Sequence, residues 1–120
     1  MTTPDKLASF ISSSFRSIWA LELLLVLKRE GRPCSTDELV ATMRASGAVV
    51  DRALDSLVAA GLADVDGPHV RYAPAGPDTA ALVDGTEQLY RSRPDRVRRL
   101  IIASSHRGLA AFSDAFRLGD

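Results

Sequence analysis

The stretch Ser46–Pro74, SGAVVDRALDSLVAAGLADVDGPHVRYAP, decides how this chain is read. Val50, Ala53, Leu54, Leu57 and Val58 recur at the three- and four-residue spacing that gathers side chains on one side of a helix. The spacing predicts a helix from about Ala48 to Ala60, ended by Gly61, with that apolar side packed on neighbouring helices. Its opposite side is Val49, Asp51, Arg52, Asp55, Ser56 and Ala59. Beyond Gly61 the runs LADV and VRYA flank Asp66-Gly67-Pro68-His69, a turn-rich tetrapeptide that closes a β-hairpin.

Working back toward the N-terminus, Ala45-Ser46-Gly47 makes the turn into this helix from a shorter one. Ser35-Thr36-Asp37-Glu38 spells a capping box that starts the shorter helix, and Leu39, Val40 and Met43 give it an apolar side. A first long helix is expected from Ser14 to Glu30, stopped by Gly31 in the left-handed cap position and kept from continuing by Pro33. Ser12 or Ser13 is placed to cap its start. From Ile18 to Leu27 its only polar residue is Glu22, so the helix must be buried on nearly every side, by its own domain or by a second subunit. Trp19 is the residue of that helix assigned to a partner or dimer surface.

Past the hairpin, Gly76-Pro77-Asp78 opens another helix, with proline where its missing N–H costs little and aspartate where the helix dipole favours it. Leu82, Val83, Leu89 and Tyr90 supply its apolar side. Pro94 breaks or kinks it, and the basic segment RVRRLIIA follows, with Val97, Leu100 and Ile101 turned one way. Gly108 interrupts again, after which Leu109, Phe112 and Phe116 fall on one side of a short helix that closes its own core or forms a dimer seam. The expected fold class is mainly α with a small β-hairpin. Residues 1–75 form the core, and residues 76–120 a helical extension that packs on it or joins two subunits.

At 120 residues the chain is one domain and can bury an ordinary core. A composition 46% apolar and 25% charged excludes the disordered and collagen-like classes. A single cysteine, Cys34, excludes an intramolecular disulfide framework and paired-cysteine zinc sites. It stands near a helix N-terminus, an environment that can lower a thiol pKa, although a small loop residue is the simpler reading. His69 and His106 have no partner at metal-ligand spacing. No phosphate loop, nucleophile elbow or carboxylate pair points to an enzyme, and no cofactor is expected. The densest apolar run is half the length of a membrane span and carries Glu22, and the N-terminus lacks a secretory pattern, so a cytoplasmic protein is expected.

The formal net charge is zero, but the charges are unevenly placed. Residues 1–60 hold 7 basic and 7 acidic groups, residues 61–90 hold 1 and 5, and residues 91–120 hold 7 and 3. The positive excess is the cluster Arg91, Arg93, Arg96, Arg98 and Arg99, which can meet nucleic-acid backbone, an acidic partner or the acidic segment 61–90. Pairing with the acidic segment is favoured, because it needs no external ligand.

Three helices followed by a hairpin is the winged helix-turn-helix plan. The segment SGAVVDRALDSLVAAGLADVDG resembles that of MarR-like bacterial transcriptional regulators, with a small turn, a Val-x-Arg-x-Leu-x-x-Leu recognition helix, then Ala-Gly-Leu into the wing. The resemblance covers roughly Phe15 to Pro74. It implies a regulator that binds double-stranded DNA, as a homodimer, with Ser46, Ala48, Val49, Arg52 and Ser56 approaching the major groove and Arg44 near the backbone. His69 and Arg71 of the wing would meet phosphate or the minor groove. Arg52 suits a guanine edge, yet Asp55, three residues on, can pair with its guanidinium, and Asp51 adds a second repulsive charge. Winged helices also serve as protein-protein adaptors, and the two acids keep that alternative in view.

Overall fold

The computed structural model describes residues 3–104. In order these form α1 (Pro4–Ser14), α2 (Ile18–Glu30), β1 (Cys34–Ser35), α3 (Thr36–Met43), α4 (Gly47–Ala59), β2 (Ala63–Asp66), β3 (His69–Tyr72) and α5 (Pro77–Ser92). A further helix, α6, begins at residue 94 and is described to residue 104. The fold is mainly helical with one small antiparallel sheet, as the sequence predicts.

The first helix, expected from Ser14 to Glu30, begins later, as α2 at Ile18, and a separate helix that the sequence reading did not foresee, α1, precedes it. Thr3 caps α1 by accepting the Lys6 N–H, with Pro4 in the first turn and Asp5 at the positive end of the dipole. The chain extends at Phe15, and Ser17, not Ser12 or Ser13, caps α2 by accepting the Ala20 N–H at 3.2 Å. The two axes differ by 106°. Burial enforces the bend, because Ile11 and Phe15 both enter the core and Phe10 meets the Phe15 ring edge-on at 5.9 Å. Neither α1 nor α2 alone is long and apolar enough to cross a membrane, nor is any other single helix among the described residues.

Helix α2 is the central post. Ala20, Leu21, Leu23, Leu24 and Leu27 are buried, with α4, α3 and β3 packed around it, and Gly31 takes the left-handed cap position. Its own domain thus covers it, and its apolar character does not require a second subunit. Trp19 is the exception, 44% exposed near the start of α2.

Helix α3 opens on the complete capping box: Ser35 Oγ accepts the Glu38 N–H, and the Glu38 carboxylate accepts the Ser35 N–H. Helix α4 buries Val50, Ala53, Leu54 and Leu57 against α2 and α3. Val58, expected inside, is 41% exposed. At 100° per residue it lies about a quarter turn from the line through Val50, Leu54 and Leu57, beyond the strip that α2 can cover.

The hairpin pairs Ala63 with Tyr72 through Asp66 with His69, so the loop is only Gly67-Pro68. Gly67 has φ +59°, as the first position of such a tight loop requires of a residue without Cβ. A third strand was not foreseen. Cys34 and Ser35 pair with Val70 and His69, giving the sheet order β1-β3-β2. Cys34 is therefore a buried strand residue, not a loop residue, and burial raises its thiol pKa instead of lowering it.

Helix α5 packs on α1, where a Cβ at Gly85 would stand 3.3 Å from Leu7 Cδ1. It is tied to α2 by polar contacts. Lys28 Nζ donates to Glu87 at 2.8 Å and lies 3.3 Å from Asp84, while the Tyr90 hydroxyl donates to Glu22 at 2.5 Å. Pro94 starts α6 after a break at Arg93, and Val97 and Ile101 carry it into the core. The whole core is one cluster of buried apolar side chains drawn from every helix and the sheet.

Leu57→Ala should destabilise the fold by about 2–5 kcal/mol, read as a lowered urea midpoint. Alkali is expected to weaken it as well. The Glu87 hydrogen bond holds Lys28 above its ordinary 10.5, and burial holds the Tyr72 and Tyr90 phenols above 10. In each case the folded state keeps its proton longer, so stability is full below pH 10 and falls as pH rises past the raised values. Lys28→Met should shallow that fall in pH-dependent melts.

Candidate functional site

With Val50, Leu54 and Leu57 held inside, the outer side of α4 is fixed. Ala48, Asp51, Arg52, Asp55 and Ala59 are exposed along it. Arg52 makes no ion pair among the described residues, so Asp55 leaves its guanidinium available, contrary to the sequence expectation. A solvated pair three residues apart gains too little in water to hold two mobile side chains in one geometry. Asp51 and Asp55 nevertheless share the stripe and place two carboxylates beside the one arginine.

Val49 and Ser56 sit differently. Both are half-buried on the flank of α4 that faces the start of α2, where Arg16, Ser17 and Trp19 complete a cleft of about 560 Å³ with Arg52, Ala53, Asp55 and Ala59. The lining is predominantly apolar. The Ser56 hydroxyl oxygen is enclosed here without a hydrogen-bond partner among the described residues. Sequence periodicity put Ser56 on the outward side, but nothing in it disclosed that the bend at Phe15 brings Trp19 alongside. The signal available was Trp19 itself, a large apolar residue assigned to a surface.

The turn residues before α4 have defined roles. Ser46 is the N-cap, its Oγ accepting the Val49 N–H at 3.2 Å, which leaves the hydroxyl proton free to be donated outward. Arg44 is exposed and left-handed, with φ +53°, at a position where helix-turn-helix turns often carry glycine. It is the one non-glycine residue with positive φ among those described.

On the hairpin, His69 and Arg71 are both exposed on the middle strand β3. Arg71 reaches across to Asp64 at 3.3 Å, an open surface pair that water and salt weaken readily. Gly67 and Pro68 at the tip carry no charge, and Asp64 and Asp66 leave the strand beside it acidic.

The arginine cluster lies elsewhere. Arg91 pairs with Glu87 at 3.5 Å, Arg98 stands over the Tyr90 ring at 5.8 Å, and Arg99 donates to the Asp95 carbonyl. Of the pairing expected with the acidic segment, the Arg91–Glu87 contact forms; Arg93 and Arg96 make no ion pair among the described residues. Arg91 borders a separate cleft along Glu22, Leu25, Val26 and Arg29, which shares no residue with the one beside α4. No cluster of three metal-ligating side chains occurs among the described residues. Leu109, Phe112 and Phe116 lie outside them.

Ser56→Ala should leave thermal stability unchanged or raise it by up to about 1 kcal/mol, because it removes an enclosed hydroxyl that has no partner. A clear loss in the melt would show that the hydroxyl is bonded in solution. No family model matches the chain, and neither a curated protein nor a solved structure does.

Proposed function

We propose that the chain is a DNA-binding transcriptional regulator of the winged helix type, using α4 in the major groove and the β2–β3 hairpin on flanking backbone. The observation that carries this reading is the outward Arg52, without an ion-pair partner among the described residues, on the second helix of a tight helix–turn–helix, with the hairpin following directly. Arg44 supports it. Glycine would fit its backbone conformation without strain, and arginine there supplies a phosphate contact at the turn. A lone bidentate arginine discriminates by roughly 1–3 kcal/mol, so a homodimer reading two half-sites is the economical form.

A second reading, an adaptor that binds another regulator, is favoured by the acidic stripe. Asp51 and Asp55 would meet phosphate with the wrong sign and are not neutralised by Arg52.

Gel shifts against duplex DNA from the region upstream of the chain's own gene separate the two. Salt-sensitive binding with two chains per duplex is expected, weakened by Arg52→Ala and strengthened by Asp55→Asn. Arg44→Gly should weaken binding while stability stays unchanged or rises by up to about 1 kcal/mol as the left-handed strain is relieved. Absence of binding at low salt would overturn the DNA reading in favour of the adaptor.

A further inference from the structure

We infer that the outward face of α4 pairs with the same face of a second copy of this chain, the two helices antiparallel about a two-fold axis, with Arg52 of each copy set against Asp55 of the other. The pairing stands on the spacing and charge of that face; its consequence for DNA rests on the DNA reading.

Ala48, Arg52, Asp55 and Ala59 are all exposed and follow one another at steps of four, three and four residues. Such steps make the seam along which two helices coil together. At about 100° per residue the four fall within a strip about 60° wide, opposite the side that buries Val50, Ala53, Leu54 and Leu57.

The strip is complementary to itself. Along the chain it reads small, positive, negative, small, and turned end for end it reads small, negative, positive, small. An antiparallel pair therefore sets each Arg52 against an aspartate and each Ala48 against Ala59, whereas a parallel pair would set like charges together. The alanines let the helix axes approach to about 8 Å, which brings the central charges within reach of each other. Neither Arg52 nor Asp55 forms an ion pair among the described residues, so both are free to form a charge-assisted pair across the axis.

The flanks add apolar area. Of the four large apolar side chains that stand open among the described residues, two border this strip, Trp19 on one side at 44% and Val58 on the other at 41%. In an antiparallel pair each flank meets its own counterpart. The clefts of about 560 Å³ that Trp19 lines, which reach Arg52, Asp55 and Ala59, then open on each other and are covered together. Asp51 lies on the outer edge of the Val58 flank, where solvent screens its charge.

Paired in this way, Arg52 is engaged by the second copy and withheld from a base edge. The pair is a resting form, distinct from two chains side by side on a duplex, and the second copy and DNA compete for one face.

Sedimentation velocity over a dilution series tests the pairing without DNA. The wild-type chain should pass from monomer to dimer as concentration rises. Arg52→Asp sets carboxylates against carboxylates and Asp55→Arg sets guanidiniums against guanidiniums, so each variant alone should self-associate at least about tenfold more weakly. Mixed in equal amounts, the two variants should form a heterodimer, because every central contact is then arginine on aspartate. The double variant Arg52→Asp/Asp55→Arg should self-associate as the wild type does. A wild type that stays monomeric up to its solubility limit, single variants that dimerise like the wild type, or a mixture that remains monomeric would each overturn the proposal. If a charge-reversed variant loses its helix content by circular dichroism, Arg52→Ala and Asp55→Ala decide: weakened self-association upholds the pairing, and wild-type self-association overturns it.

DNA is added separately. Excess Arg52→Asp chain should displace the Asp55→Arg chain from duplex DNA, and a pair that coexists with bound DNA overturns the competition. Should Asp55→Arg bind no duplex while the mixture still forms a heterodimer, the pairing stands and only the DNA reading falls.

Discussion

The rotation of α4 about its own axis is the constraint on which everything else rests. Val50, Leu54 and Leu57 enter the core beside Leu23, Leu24 and Leu27 of α2, and a helix has no freedom to turn once three such residues are interlocked. That burial decides that Arg52 points outward, that Val49 and Ser56 look toward Trp19, and that Val58 is stranded at the edge. The polar ties between α2 and α5 act at a second level. Lys28 with Glu87, and Tyr90 with Glu22, place the second half of the chain against a post that apolar packing has already set.

Much of this was legible in the residues. The capping box at Ser35, the stop at Gly31, the helix through Leu57 and the hairpin around Gly67 each follow from a local rule with a strong preference behind it, and each is where that rule puts it. Helix α1 and the late start of α2 were hidden because apolar residues at helical spacing, Ile11, Phe15 and Ile18, run across the break at Phe15 almost without a gap. The Thr-Pro-Asp sequence that begins α1 was the available signal, and a serine three residues before Ala20 was the other. Strand β1 escaped for a different reason. Two residues carry no periodicity, and their pairing with Val70 and His69 exists only once β3 is in place.

The candidate site divides along the same line. Exposure of Arg44, Ala48, Arg52, His69 and Arg71 was readable from helical and strand alternation. The fate of Arg52's charge was not, since whether an exposed arginine and aspartate three residues apart close on each other depends on solvation energies near balance. Nor could the sequence reveal that Arg91 of α5 borders a different cleft from the one beside α4, because that separation comes from α5 leaning on α1.

Ser35 has two duties at once. Its backbone is the last rung of the ladder to His69, and its hydroxyl is the hinge pin on which α3 begins. The finger and the helix are consequently riveted through a single residue, and neither swings without the other. A load on the hairpin at His69 is therefore borne by the foot of α3, so the protrusion is braced against the helices and is not a loose flap.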